Sequence, residues 1–199
     1  FGAMDELQLG DPLDLATDVG PVIDSSALQD IRSYCERAKT AGRVLKQLDA
    51  PAVGYFMGPT VIEVSGIGAI EREIFGPVLH IAAYAATEIE QVLSDINRHG
   101  YGLTLGLHTR VDARDQQVVD QAHVGNIYVN RNQIGAVVGT QPFGGEGLSG
   151  TGPKAGGPLY LSRFCKKTPS EAPSAGSQHP APGTEIETEE LQAWLLAEE

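Results

Sequence analysis

The sequence predicts an α/β protein in which a mostly parallel sheet is flanked by helices. Three observations carry that expectation. Strand and helix patterns alternate between residues 78 and 130 at the spacing of crossover units, a nearly continuous apolar run at 78–85 reads as a buried strand, and two amphipathic helices carry end signals. The first helix is capped by Asp24 or Ser25. It places Leu28, Ile31, Tyr34, Cys35 and Ala38 at spacings of three and four, and Gly42 stops it. Residues 43–48 and 55–64 then read as short strands, the second interrupted by Gly58-Pro59. Thr87-Glu-Ile-Glu90 reads as a capping box opening a helix through Ile89, Val92, Leu93 and Ile96 to Gly100. Residues 103–108 read as a strand and 111–124 as a helix with Val118, Val119 and Ala122 inward. Strands at 126–130 and 159–165 complete the set.

Composition excludes several classes of function. The chain has 14 Lys and Arg against 26 Asp and Glu, a net charge of −12, and 41% hydrophobic residues. That profile belongs to an acidic globular protein rather than a disordered one. No apolar run approaches the roughly 20 residues of a membrane helix, and the N-terminal residues lack a signal-peptide pattern, which points to the cytoplasm. The charge is segregated: residues 1–31 and 168–199 each hold seven acids and no Lys or Arg, so the body is nearly neutral. Nucleic acid is not an expected partner, because Arg163, Lys166 and Lys167 are too small a cluster to track phosphates.

Candidate sites follow from the same reading. His80, His99, His108, His123 and His179 show no metal-ligand spacing, so no metal is expected. Cys35 and Cys165 are far apart and read as free buried thiols, neither with the look of a nucleophile. Gly145-Glu-Gly-Leu-Ser-Gly150 spells the dinucleotide fingerprint, but no strand leads into it and Thr151-Gly-Pro-Lys-Ala-Gly-Gly-Pro158 cannot start a helix. Ten of the 24 glycines lie between Gly125 and Gly157, which predicts a backbone-rich loop approaching something closely. In Glu73-Ile-Phe-Gly-Pro-Val78, a carboxylate and an aromatic precede Gly-Pro and a strand. The pair sits at the mouth of a sheet, where a carboxylate can accept two hydrogen bonds from a ribose diol. On spacing alone the preferred reading is a surface Glu and a core Phe.

The motifs taken in order resemble the aldehyde dehydrogenase superfamily: Gly10-Asp-Pro12 with Thr17-Asp-Val-Gly-Pro21, Glu73-Ile-Phe-Gly-Pro-Val78, Gly125-Asn-Ile-Tyr-Val-Asn130, Gln141-Pro-Phe-Gly-Gly145 and Ser149-Gly-Thr151. Residues 130–143 and 152–158 are similar to the group that oxidises glutamate γ-semialdehyde, the open form of 1-pyrroline-5-carboxylate. The phrase from Phe143 to Pro158 resembles the bifunctional proline utilisation A family, which fuses that activity to a proline dehydrogenase.

The resemblance implies roles. Glu73 matches the glutamate that binds the nicotinamide ribose of NAD, and Phe75 lines the same site. Gly135 and Ala136 match the loop whose backbone amides anchor the substrate's α-carboxylate, and Phe143 matches the aromatic wall beside the aldehyde chain. In the family a Cys thiolate attacks the aldehyde, hydride passes to NAD, and water activated by a Glu hydrolyses the thioester. Those residues precede Gly10-Asp-Pro12 in the family, so no catalytic residue is expected in this chain. It is expected to be inactive alone, acting with upstream domains of the same polypeptide in a homo-oligomer. FAD belongs to a fused proline dehydrogenase domain outside this chain. Residues 1–167 read as a partial catalytic domain, 168–184 as a flexible linker, and 185–199 as a short acidic segment with helical potential around Leu191, Trp194 and Leu195. Another aldehyde dehydrogenase, and a non-catalytic assembly copy of the fold, stay open as alternatives. A preserved Glu73 motif weighs against the latter.

Overall fold

Asp24 caps the first long helix, α2 (Ser25–Thr40), its carboxylate accepting from the Ala27 N–H at 2.8 Å. Leu28, Ile31, Cys35 and Ala38 form the buried stripe, and Gly42 follows the helix with a φ of 67° that favours glycine. This structure is a computed structural model describing residues 1–134, 137 and 139–164. Cys165, His179, the linker expected at 168–184 and the segment expected at 185–199 lie outside the described residues.

A short helix, α1 (Gly2–Asp5), opens the chain. Lys46 holds it, pairing with Asp5 at 2.5 Å and donating to the Phe1 carbonyl at 3.2 Å. The stripe of α2 packs on a sheet of three strands, β1 (Val44–Gln47), β2 (Thr60–Glu63) and β3 (Val78–Ile81), in that order. Strand β2 pairs antiparallel with β1 and parallel with β3. Ile62, fully buried, sits opposite Val44 and His80 and centres the first core with Met57 and Val64.

A second core lies beneath α3 (Ile89–His99) and α4 (Asp112–Gln121). It is built from Leu93, Val118, Ala122 and Val124, against the parallel pair β5 (Thr104–Leu107) and β6 (Asn126–Val129). Two short strands, β4 (Tyr101–Gly102) and β7 (Glu146–Gly147), pair antiparallel. The α/β expectation holds, with four-residue parallel ladders at β2–β3 and β5–β6 and shorter antiparallel ones elsewhere.

Several element-level expectations are corrected. The strand expected at 55–64 begins only at Thr60, because Pro59 has no N–H and Gly58 lies tight against the Leu48 carbonyl. Residues 78–85 form only the four-residue β3, with Leu79 and Ile81 facing out, because α2 packs on one face alone. No box forms at Thr87; the Glu88 carboxylate accepts from the Ala85 N–H at 2.8 Å, and a 3-10 turn leads into α3. Val119 is exposed, since neighbours on a helix diverge by about 100° and Val118 takes the core position. The strand expected at 159–165 is a 3-10 helix over Tyr160–Phe164, in which the Ser162 hydroxyl donates to the Leu159 carbonyl at 2.7 Å.

His80 of β3 meets Tyr34 of α2, with Nε2 2.7 Å from the phenolic oxygen and the rings edge-on. Burial, and then the Arg43 charge, hold its pKa below the ordinary 6.5. The unfolded chain therefore takes up this proton more readily than the folded one. Stability from the neutral ring is present above 6.5 and is lost as pH falls through the folded value. Between about pH 7 and about pH 5 the urea midpoint should fall more steeply in the wild type than in His80→Gln. Parallel profiles would contradict this.

Candidate functional site

The first part of the site is the corner that leads into β3. Tight turns, with Gly76 N–H to Ile74 O at 2.7 Å and Val78 N–H to Gly76 O at 2.8 Å, fold residues 74–78 back on themselves. Gly76 presses on Ile31 of α2 so closely that a methyl group there would collide with Ile31 Cδ1. The Thr60 N–H donates to Pro77 O at 2.9 Å and ties the corner to β2. Asp30 and Ile31 of α2, with residues 72–75, surround an open cavity of about 140 Å³.

Glu73 and Phe75 both line that cavity, as the sequence pairs them. Phe75 is 83% exposed, so the core-Phe reading is overturned: the Gly76 contact with α2 turns this ring outward. Glu73 is exposed as well, and its carboxylate has no hydrogen bond or ion pair among the described residues. An unpaired carboxylate beside an exposed ring can accept hydroxyl donors while the ring packs on a flat group.

The second part is the glycine-rich loop at 141–157. Asn126 of β6 grips its outgoing limb, Nδ2 donating to Pro142 O at 3.0 Å and Oδ1 accepting from the Gly144 N–H at 3.3 Å. Gln141 donates to the Tyr128 hydroxyl at 2.7 Å. Phe143 exchanges both backbone hydrogen bonds with Ala155, at 3.0 and 2.9 Å, and is half-buried. Between these limbs, residues 145–150 form β7 and a turn, with Gly147 at φ 55°, and no helix follows. They do not form a dinucleotide fingerprint.

Gly135 and Ala136 lie outside the described residues. On the N-terminal side the chain is anchored at Asn130, whose N–H donates to Leu107 O at 2.8 Å and whose Oδ1 accepts from the Thr109 N–H at 3.0 Å.

The two parts are linked through the C-terminal end of α3, a connection the sequence reading missed. His99 Nε2 lies 2.8 Å from the Ile70 carbonyl, and the next residue, Gly100, accepts from the Leu148 N–H at 2.8 Å. Asn126 was missed likewise. Its place at the start of β6, in Gly125-Asn-Ile-Tyr-Val-Asn130, was the available signal.

Cys35 is buried beneath α2, and desolvation pushes its thiol pKa up, a shift only partly offset by a hydrogen bond with Thr60. Its burial agrees with its reading as a free buried thiol.

A family model described as the aldehyde dehydrogenase family matches residues 2–168. The chain belongs to the aldehyde dehydrogenase family. Among its relatives in that family is the bifunctional protein PutA of Salmonella typhimurium, 51% identical over 86% of this chain and 14% of its own length. A 1-pyrroline-5-carboxylate dehydrogenase of a Geobacillus species is 42% identical over 78% of this chain and 30% of that enzyme. A crystal structure of proline utilization A from Bradyrhizobium japonicum superposes with a TM-score of 0.78 at 54% identity, covering 82% of this chain and 17% of that one. The chain thus spans about one-seventh of the PutA relatives it matches. The aldehyde dehydrogenase fold accounts for the mixed sheets and flanking helices described above. Among the described residues, no helix is long and apolar enough to cross a membrane.

Proposed function

We propose that this chain supplies the cofactor-ribose corner and the aldehyde-facing loop of an NAD-dependent 1-pyrroline-5-carboxylate dehydrogenase. In this reading the parent is a bifunctional, cytoplasmic PutA of proline catabolism. The observation that carries it is the Glu73–Phe75 corner, an unpaired carboxylate beside an outward-facing ring on an open cavity. NAD, when bound at this corner, would supply the hydride acceptor for the oxidation. Glu73 accepts the hydroxyl donors of the nicotinamide ribose, and Phe75 packs beside it. Backbone amides of Gly135 and Ala136 hold the substrate carboxylate, and Phe143 screens the methylene chain from water.

Residues 1–167 form part of the catalytic domain in this proposal, 168–184 link it, and 185–199 form a separate acidic segment. The thiolate nucleophile and the nucleotide-binding domain come from upstream segments of the same polypeptide, FAD serves a fused proline dehydrogenase, and the whole assembles as a homo-oligomer. Cys35, buried and with a raised pKa, is not the nucleophile in this reading. The purified chain with NAD and glutamate semialdehyde should give no steady NADH signal above a heat-killed control. Placed in Salmonella typhimurium PutA in exchange for its aligned segment, the same residues should sustain semialdehyde-dependent NADH formation. Turnover by the chain alone, or a folded exchange enzyme that oxidises proline but not the semialdehyde, would contradict the proposal.

A further inference from the structure

We infer that Lys154 is a positioning residue for Phe143, fastening the returning limb of the glycine-rich loop to the start of β6 and so fixing where the aromatic wall stands. The inference rests on the reading of residues 141–157 as the aldehyde-facing loop.

The two limbs of that loop are held differently. Asn126 and Tyr128 hold the outgoing limb directly, through Pro142, Gly144 and Gln141. The returning limb meets the outgoing one in the Phe143–Ala155 ladder. Lys154, the residue before Ala155, sends its ammonium to the Gly125 carbonyl. The two limbs thus close on consecutive residues, Gly125 and Asn126.

The side chain is shaped to that task. A methyl group added at Gly144 would lie 3.1 Å from Lys154 Cγ, so the stem of Lys154 runs over the backbone just after Phe143. Lys154 as a residue is half-buried and is in no ion pair among the described residues. A lysine serving solubility alone would extend its charge into water. Here hydration is exchanged for a charge-assisted bond to one backbone oxygen, which holds position more firmly than a neutral bond. Loss of that bond frees the returning limb, and Phe143 moves with Ala155.

The test uses the exchange enzyme described above together with this chain itself. Lys154→Met keeps the stem and removes the donors; Lys154→Arg keeps a charged donor. In the exchange enzyme Lys154→Met should raise the KM for glutamate semialdehyde roughly tenfold while leaving the KM for NAD unchanged, because a small misplacement of a substrate wall carries a large kinetic cost. In this chain it should speed amide hydrogen exchange at Phe143 and Ala155 and leave Ile62 unaffected. Lys154→Arg should restore most of both. A semialdehyde KM within about twofold of the parent, or an equal rise in the KM for NAD, would overturn the inference. Should Lys154→Met fail to fold, Lys154→Gln is read by the same criteria. An exchange enzyme inactive before any substitution speaks against the proposed function instead. The role of Lys154 is then decided by amide exchange, and unchanged exchange at Phe143 and Ala155 would overturn it.

Discussion

Gly125→Ala is expected to destabilise the chain by about 3 kcal/mol or more, a value beyond ordinary surface substitutions. Gly125 is buried where β6 begins, and its N–H donates to Gly102 O at 3.0 Å while its carbonyl receives Lys154. An added methyl would overlap the Gly144 carbonyl oxygen and come within 2.8 Å of Gly145 Cα. Both obstacles are backbone, so no side-chain rotation relieves them, and the limb carrying Phe143 must move away from β6. Gly125 is not among the residues with positive φ, so the cost is steric rather than conformational. Gly68, in the 3-10 turn over Ile67–Ala69, provides the control, because an added methyl there meets nothing within 4 Å. Gly68→Ala should stay within about 0.5 kcal/mol of the parent in urea unfolding. A Gly125→Ala variant as stable as Gly68→Ala would show that the loop does not pack against β6 as described.

This dependence on backbone contact explains what was legible in the sequence. Helices α2 and α3 were readable because their apolar spacing, the Asp24 cap and the Gly42 and Gly100 stops are local features. The glycine surplus between Gly125 and Gly157 correctly signalled close backbone approach, at Gly125 above all. The depth of β3 was misread, because an apolar run shows that both faces of a strand can be buried and not that both are covered. Spacing alone favours a core Phe75 for the same reason: apolar character cannot separate a core ring from one presented outward, and only the motif resemblance pointed to an outward ring. Asn126, His99 and Lys154 escaped notice because each acts on a backbone group distant in sequence. Such bonds leave no spacing pattern. Phe143 could be picked out by its motif, yet the bond from Lys154 to the Gly125 carbonyl could not.

The largest functional effect is expected at Glu73. Its carboxylate stands exposed on the rim of the 140 Å³ cavity, and none of the described residues pairs with it. Glu73→Gln keeps the size and shape of the side chain, so the fold should be untouched. The change removes the charge that strengthens hydrogen bonds from a ribose diol and replaces one acceptor oxygen with a donor. Hydrogen bonds to a charged group are worth about 1.5–3 kcal/mol, so the KM for NAD should rise roughly tenfold to a hundredfold. The KM for glutamate semialdehyde should stay near its starting value, because the glycine-rich loop at 141–157, proposed to face the aldehyde, is held by β6 and its first flanking residue rather than by this corner. The most direct measurement is the dependence of initial rate on NAD concentration in the exchange enzyme, with Glu73 and with Glu73→Gln, at saturating semialdehyde. A KM for NAD raised at least tenfold is the predicted result. An unchanged KM for NAD in a folded, active variant would contradict the assignment of this corner to the cofactor.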